Sequence, residues 1–213
     1  MGSLDYMGNN AESSRVKLDL CDVEVSYSSG GVLVGAPDDD WENTVSSWRM
    51  RLELVNYPED DSQPEHTHIG SIRGFLVNLD SNDDPYEALD ALEADLEVIG
   101  SALFQDEGII EMSEAWPSHV IIIGHVWIDP KYRGQRLGPR AVSTAVRNFT
   151  RGRSALAALI AQPDGWKDME ENLLQLTRQK VRSVWESIGF TPFNEEVLWL
   201  EATDYEGAEY FDD

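Results

Sequence analysis

Apolar positions along the chain recur with two periods. Arg15 to Tyr27 alternates: Val16, Leu18 and Leu20 share one face, then Cys21, Val23, Val25 and Tyr27 follow after a change of phase. That pattern predicts a bulged strand or two short ones. Ser28 to Pro37 reads as a turn region, and Asp38-Asp39-Asp40 before Trp41 predicts a short helix to about Ser47. Met50 to Val55 alternates again, Asn56 to Glu65 is a loop, and Ile69 to Leu79 is a further strand weakened by Gly70 and Gly74. Leu89, Leu92, Leu96, Ile99 and Leu103 lie three and four apart, the stripe of one amphipathic helix starting after Ser81-Asn82-Asp83-Asp84-Pro85.

Met112 to Ser118 is irregular, whereas His119 to Ile128 is almost wholly apolar, as a strand covered on both faces should be. Gly124 interrupts it, and a glycine inside a strand often marks a bulge or a close approach by a ligand. Gly138 to about Thr150 predicts a helix with Val142, Ala145, Val146 and Phe149 inward, followed by a buried strand over Ser154 to Ala161. Asp168 to Ile188 predicts a long helix facing inward through Leu173, Leu176, Val181, Val184 and Trp185, ended by Gly189. Glu196 to Thr203 is the last strand. This order describes a single α+β domain over residues 15–203 with a mixed sheet, between a mobile tail (1–14) and an acidic one (204–213).

The stretch from Val126 to Pro139 joins the apolar strand to a helix through a glycine-bearing loop. A helix that starts there presents unpaired backbone N–H groups and the positive end of its dipole, a ready site for a phosphate or pyrophosphate. Gly134 and Gly138 let backbone approach a ligand, and Pro139 suits the first turn, where no N–H is needed.

The same residues carry a resemblance. Ile128-Asp129-Pro130-Lys131-Tyr132-Arg133-Gly134-Gln135-Arg136-Leu137-Gly138 resembles the acetyl-CoA-binding signature of the GNAT superfamily of N-acetyltransferases, whose core is Arg/Gln-x-x-Gly-x-Gly/Ala. Arg133 and Gly138 match its ends and Gly134 a common accessory glycine, while Arg136 stands where the middle glycine is usual. Val184-Trp185-Glu186-Ser187-Ile188-Gly189-Phe190 resembles the family's Tyr-x-x-x-Gly-Phe ending, with Trp185 at the tyrosine position. The resemblance implies a mostly antiparallel sheet flanked by helices, acetyl-CoA as co-substrate and direct acetyl transfer to a primary amine of a small molecule or protein. It also implies that a bulge in the strand before the loop opens a slot for the pantetheine arm. Backbone of Val126, Trp127 and Ile128 would pair with that arm, and Arg133, Gly134, Gln135, Arg136, Leu137, Gly138 and Pro139 would surround the phosphates.

Charge sharpens this picture. The chain has 213 residues and a formal net charge of −24, yet between Lys131 and Arg182 eleven Lys/Arg stand against four Asp/Glu. The positive block coincides with the proposed phosphate loop and the two helices after it, which suits an anionic cofactor better than nucleic acid in so negative a field. The remaining acidity reads as a solvating surface or as a field that steers a cationic amine. A lone cysteine, Cys21, fits a reducing, cytoplasmic compartment and reads as a buried thiol. Neither a signal peptide nor an apolar run of transmembrane length is expected. Partners are therefore expected to be an amine acceptor, without nucleic acid or membrane; a homodimer stays open.

Acyl transfer to an amine needs a positioned thioester, a neutral amine and stabilisation of the charge that develops. His125 is the leading candidate base, since an unperturbed histidine titrates near neutrality, and His119 shares its strand parity with His125 and Trp127. Glu111 and Glu114, before the strand, are carboxylate alternatives. His66-x-His68 lacks the third ligand a catalytic zinc wants, so no metal is expected. Trp185 cannot protonate a thiolate; Tyr132 reads as packing in the loop, and Tyr27, Tyr205, Tyr210 or water could serve instead. Two non-enzymatic alternatives follow: a CoA-holding module of the same fold without turnover, and an acidic protein that mimics a polyanion.

Overall fold

The computed structural model describes residues 17–30, 44–59, 62–81, 83–92, 94–163, 165–203 and 205. Seven strands form one sheet in the order β1-β2-β3-β4-β5-β7-β6: β1 Val23–Gly30, β2 Val45–Asn56, β3 Glu65–Asn78, β4 His119–Ile128, β5 Ala155–Ile160, β6 Thr191–Pro192 and β7 Val197–Glu201. Neighbours run antiparallel except β4 and β5, which are parallel. The parallel pair needs a crossover, and α4, Leu137–Thr150, supplies it.

Alternation decides which helices cover which face. Trp48, Met50 and Leu52 of β2, Ile72 of β3, Ile121 and Ile123 of β4, and Ala157 and Leu159 of β5 form one core with Val142, Ala145 and Val146 of α4. That core is closed by Ile188 and Phe190, which follow α5, Glu171–Glu186. Val77, Val120, Ile122, Leu156 and Ala158 point to the opposite face. There they meet Leu89 of α1, Pro85–Asp90, Leu96, Ile99 and Leu103 of α2, Ala94–Phe104, and Ile109 of α3, Ile109–Met112.

Several expected elements change. Leu20–Asp22 is a 3-10 turn capped by Asp19, so only Val23 onward pairs as a strand. Cys21 sits in that turn exposed rather than buried, and the charges of Asp19 and Asp22 push its thiol pKa up. Most of the short helix expected after Asp38 lies outside the described residues, but Val45–Ser47 belongs to β2, because Val45, Trp48 and Met50 bury alternately against the sheet's two cores. The helix expected across Leu89–Leu103 is broken: α1 ends at Asp90, α2 starts at Ala94, and Leu92 is 50% exposed in the connection. The restart puts Asp95 and Glu97 in the first turn of α2, where the dipole favours acids, instead of mid-helix. On α5 the inward residues are Leu174, Val181 and Trp185, while Leu173, Leu176 and Val184 are exposed. The run through Leu174, Val181 and Trp185 continues in phase to Ile188, and the expected stripe mixed two neighbouring faces.

Gly74 is where the sheet tolerates no side chain. A methyl group there would overlap the carbonyl oxygen of Ile122 and come within 2.8 Å of the Trp48 ring. Both neighbours are held, one by the strand backbone and the other by burial, so neither can yield cheaply. Gly74→Ala is expected to cost about 2–3 kcal/mol. Thermal unfolding should show this as a fall in Tm of roughly 5–10 °C for a domain of this size; an unchanged Tm would contradict the close approach.

Candidate functional site

The site begins where the register of the sheet breaks. Gly74 pairs with Ile123 and Arg73 with His125, which leaves Gly124 as the extra residue of a β-bulge in β4. The parallel ladder between β4 and β5 runs from His119↔Ala155 to Ile123↔Leu159 and stops there, although β4 continues to Ile128. Beyond Ile123, β4 therefore pairs with β3 alone among the described residues. Gly124 is exposed although it lies inside a central strand. Without a Cβ, and with β5 gone from its side, it opens onto a cleft of about 1220 Å³ that reaches both faces of the sheet.

On the α4 side the cleft is lined by Val126, Ile128, Arg133, Gly134 and the start of α4 at Leu137, Gly138 and Pro139. The loop is shaped by side chains that turn back on it. Asp129 accepts from Lys131 N, making the 3-10 turn Pro130–Tyr132, and Arg133 Nε donates to Ile128 O at 2.8 Å. Gln135 points out of the cleft: its Oε1 accepts from Leu18 N at 2.9 Å. Gly134 has φ 82°, a conformation open to glycine. Arg136 has φ 57° and ψ 22°, so the position where the sequence signature usually has glycine is left-handed here and is occupied by arginine. It stands at the N-cap of α4 with no side-chain cap bond, and its guanidinium donates to Ser187 Oγ at 3.2 Å. Leu137 and Gly138 thus begin α4 beside the cleft with no capping side chain at Arg136, and Pro139 next to them has no N–H to satisfy, an arrangement that suits an anion.

Trp185 lines the cleft from α5. Tyr132 lines it too and is 4% exposed, under the ammonium of Lys131, 5.2 Å from its ring centroid. Tyr27 and Tyr205 lie elsewhere. Tyr27 OH accepts from Asn148 Nδ2, its ring meets Phe149 edge-on, and burial raises its pKa. Tyr205 OH donates to Ile188 O and pairs with Ser143 Oγ, tying the chain after β7 to α4 and the end of α5. Tyr210 lies outside the described residues. Trp48, also in the lining, keeps a buried Nε1–H with no partner among the described residues.

The opposite face of the cleft carries the candidate base. His125 lines it, directly across from Arg73 of β3, which in turn faces Arg49 of β2. His119 does not share that face: the extra residue at Gly124 inverts the parity of β4, leaving His119 in phase with Ile121 and Ile123 on the α4 side. It hydrogen-bonds Ser118 Oγ at 2.8 Å and lies 3.5 Å from an Arg153 nitrogen. Burial and that guanidinium lower its pKa. Glu111 belongs to α3 and accepts from Glu107 N, and Glu114 is an exposed loop residue; neither lines the cleft. The carboxylate that does is Asp95, from the first turn of α2, which periodicity had marked only as a polar position in a helix. Trp127 is likewise outside the lining and stacks on His68 at 5.4 Å, and His66 lies 3.7 Å from Glu53. Among the described residues no group of three or more His, Cys, Asp or Glu is placed to hold a metal ion, and no helix is long and apolar enough to cross a membrane.

A sequence model described as the acetyltransferase (GNAT) family matches residues 47–164, more than half of the chain, from within β2 to just beyond β5. The match takes in the bulge, the slot and the loop at the start of α4, and it ends before α5. No curated protein matches the chain.

Two measurements follow from this geometry. Arg136→Gly and Arg136→Ala both remove the guanidinium and its bond to Ser187, so the difference between them isolates the backbone. The Gly variant should be the more stable by about 1 kcal/mol in urea unfolding, since a Cβ is strained in the left-handed region. The second concerns His119, whose pKa is held below the ordinary 6.5 by burial and Arg153. Stability from its neutral form is complete above that value and is lost as pH falls through the lowered pKa, because the unfolded chain binds the proton more readily. His119→Gln should therefore show a shallower loss of stability between pH 7 and pH 5 than the unaltered chain; parallel slopes would refute the assignment.

Proposed function

Because this chain belongs to the acetyltransferase (GNAT) family, we propose that it moves an acetyl group from acetyl-CoA to a primary amine, directly, while both are bound. The observation that carries this reading is the end of the β4–β5 ladder at Ile123, with Gly124 left bare beside it. A slot at that point connects an uncapped helix N-terminus on one face with a histidine on the other.

Each part of the cleft fits one portion of the co-substrate. The amides of Gly134 to Gly138, at the positive end of the α4 dipole, suit its diphosphate, and Arg133 and Arg136 add charge nearby. Main-chain groups of Val126 to Ile128 lie along a strand that β5 has left, so they are placed to pair with an extended arm carrying amides, as an added strand would. Bound there, the thioester supplies an acyl carbon to which the amine nitrogen bonds as the C–S bond breaks, and the amine's proton leaves with net transfer to the thiolate. His125, beside the bulge, accepts the proton the amine gives up. Water serves the leaving thiolate, which as a thiol-derived group needs no strong acid.

Acetyl-CoA at a hundred times its Kd should stabilise the chain by about 2.7 kcal/mol, raising Tm by several degrees. A Cβ on Gly138 would lie 3.7 Å from Val126 and 3.9 Å from Ile128, ordinary contacts, so Gly138→Ala should keep that shift. Gly138→Leu should abolish it by filling the space between α4 and β4. Thiol release with a panel of amines reads turnover, and His125→Gln should reduce it roughly 100-fold or more. A thermal shift without any thiol release would identify a CoA-holding module instead, and no shift at all would exclude the CoA site.

A further inference from the structure

The face of the cleft that carries His125 is cationic, in a chain whose formal net charge is −24. Ser28, Arg49, Arg73 and His125 stand opposite one another across β1, β2, β3 and β4, one row of a single sheet face, and all four line the cleft. Four arginines and one carboxylate, Asp95, line it in total, in a chain with 16 Lys and Arg against 40 Asp and Glu. Arg133 and Arg136 belong to the loop at the start of α4, on the other side of the sheet; Arg49 and Arg73 do not. Among the described residues neither Arg49 nor Arg73 is in an ion pair, whereas Arg51, two residues along β2, is paired with Glu53 at 3.2 Å.

Like charges set directly opposite each other destabilise an antiparallel pair. With acids so abundant, a carboxylate beside Arg49 or Arg73 would have been an easy remedy, yet both guanidiniums line a concave site without an ion pair among the described residues. Resting on the acyltransfer reading above, we propose that this row binds an anionic group of the acceptor: the substrate class is an amine that also carries an oxyanion, a carboxylate or a phosphate. Guanidinium forks match either oxyanion in two-point geometry. The same charges act on the reacting nitrogen. Cationic neighbours disfavour the ammonium form, so the row that holds the anion also favours the neutral amine that transfer requires. Asp95, across the cleft on α2, is placed to meet what remains of the acceptor's positive charge before the proton is lost.

The test compares amines that differ in the anion alone, using the full chain with acetyl-CoA: an α-amino acid against its carboxamide, and an aminoalkyl phosphate against the matching amino alcohol. The expected result is a preference in kcat/KM of about 10- to 100-fold for the anionic member of at least one pair, the size of a charged hydrogen bond gained. The pair that shows it distinguishes carboxylate from phosphate. Arg49→Gln and Arg73→Gln should each drive that ratio toward one, chiefly through KM, while Arg51→Gln, outside the cleft, leaves it in place. The acetyl-CoA thermal shift verifies that each variant is folded. Equal rates for both members of both pairs, or a preference indifferent to Arg49 and Arg73, would overturn the proposal. If no amine releases thiol, binding of the N-acetylated anionic products decides separately. Binding that Arg49→Gln and Arg73→Gln weaken tenfold sustains the anion site while the transfer reading falls; products that fail to bind the unaltered chain reject the site.

Discussion

One interrupted hydrogen-bond ladder governs the rest of the molecule. Parallel strands β4 and β5 begin together at His119 and Ala155 and separate after Ile123 and Leu159. In a continuous sheet, the backbone past that point would be satisfied by its neighbour and sealed under helices on both faces. The bulge at Gly124 prevents this by bending β4 away, and a bulge adds one residue to one strand only. It can do so because Gly74, opposite, has no Cβ to hold the strands apart. Two glycines on neighbouring strands thus convert a core position into an opening, and the cores on the two sheet faces remain separate around it.

The same extra residue sorts the chemistry. Before it, odd-numbered positions of β4 face α4; after it, they face the other side. His119 and His125 look equivalent along the chain and end up on opposite faces, one in a hydrogen-bonded corner with Ser118 and Arg153, the other in the cleft. The loop at α4 and the row containing Arg49 and Arg73 are consequently approached from different faces and meet only through the slot. Under the proposed reading, two substrates entering from the two sides would come together at one point, as transfer within a ternary complex needs.

Much of this was legible along the chain, and the losses have definite causes. β4, α4, β5 and the loop between them were readable because their apolar residues are buried on both sides or follow a clean helical period, as at Val142, Ala145 and Val146. The glycine-bearing loop was readable because backbone geometry there demands particular residues. Periodicity failed where two patterns overlap: Leu173, Leu176 and Val184 compete with Leu174, Val181 and Trp185 for the inward face of α5, and only tertiary contact decides between them. Leu92 continued the stripe of its neighbours but lies in a connection, since helix spacing carries no record of where a helix stops. Arg49, Arg73 and Asp95 were invisible as site residues for a different reason. Their proximity is a matter of register across strands and the packing of α2, and register is not written in any single segment.

Arg136 shows why a departure from a sequence signature should be weighed by what the position needs. Glycine is common there because the chain turns left-handed just before the helix, and the arginine accepts that turn with φ 57°. The conformational cost is of the order of 1 kcal/mol, small beside the total stability of a domain. In return the side chain leaves the cap position open, since arginine has no acceptor with which to occupy the first N–H groups of α4. A serine or aspartate would have capped them and competed with any phosphate. Its guanidinium instead reaches Ser187, just past the last turn of α5, joining the loop to the helix that carries Trp185 into the cleft. A substitution that costs a little backbone energy thus leaves the start of α4 uncapped and fastens the two walls of the cleft to each other.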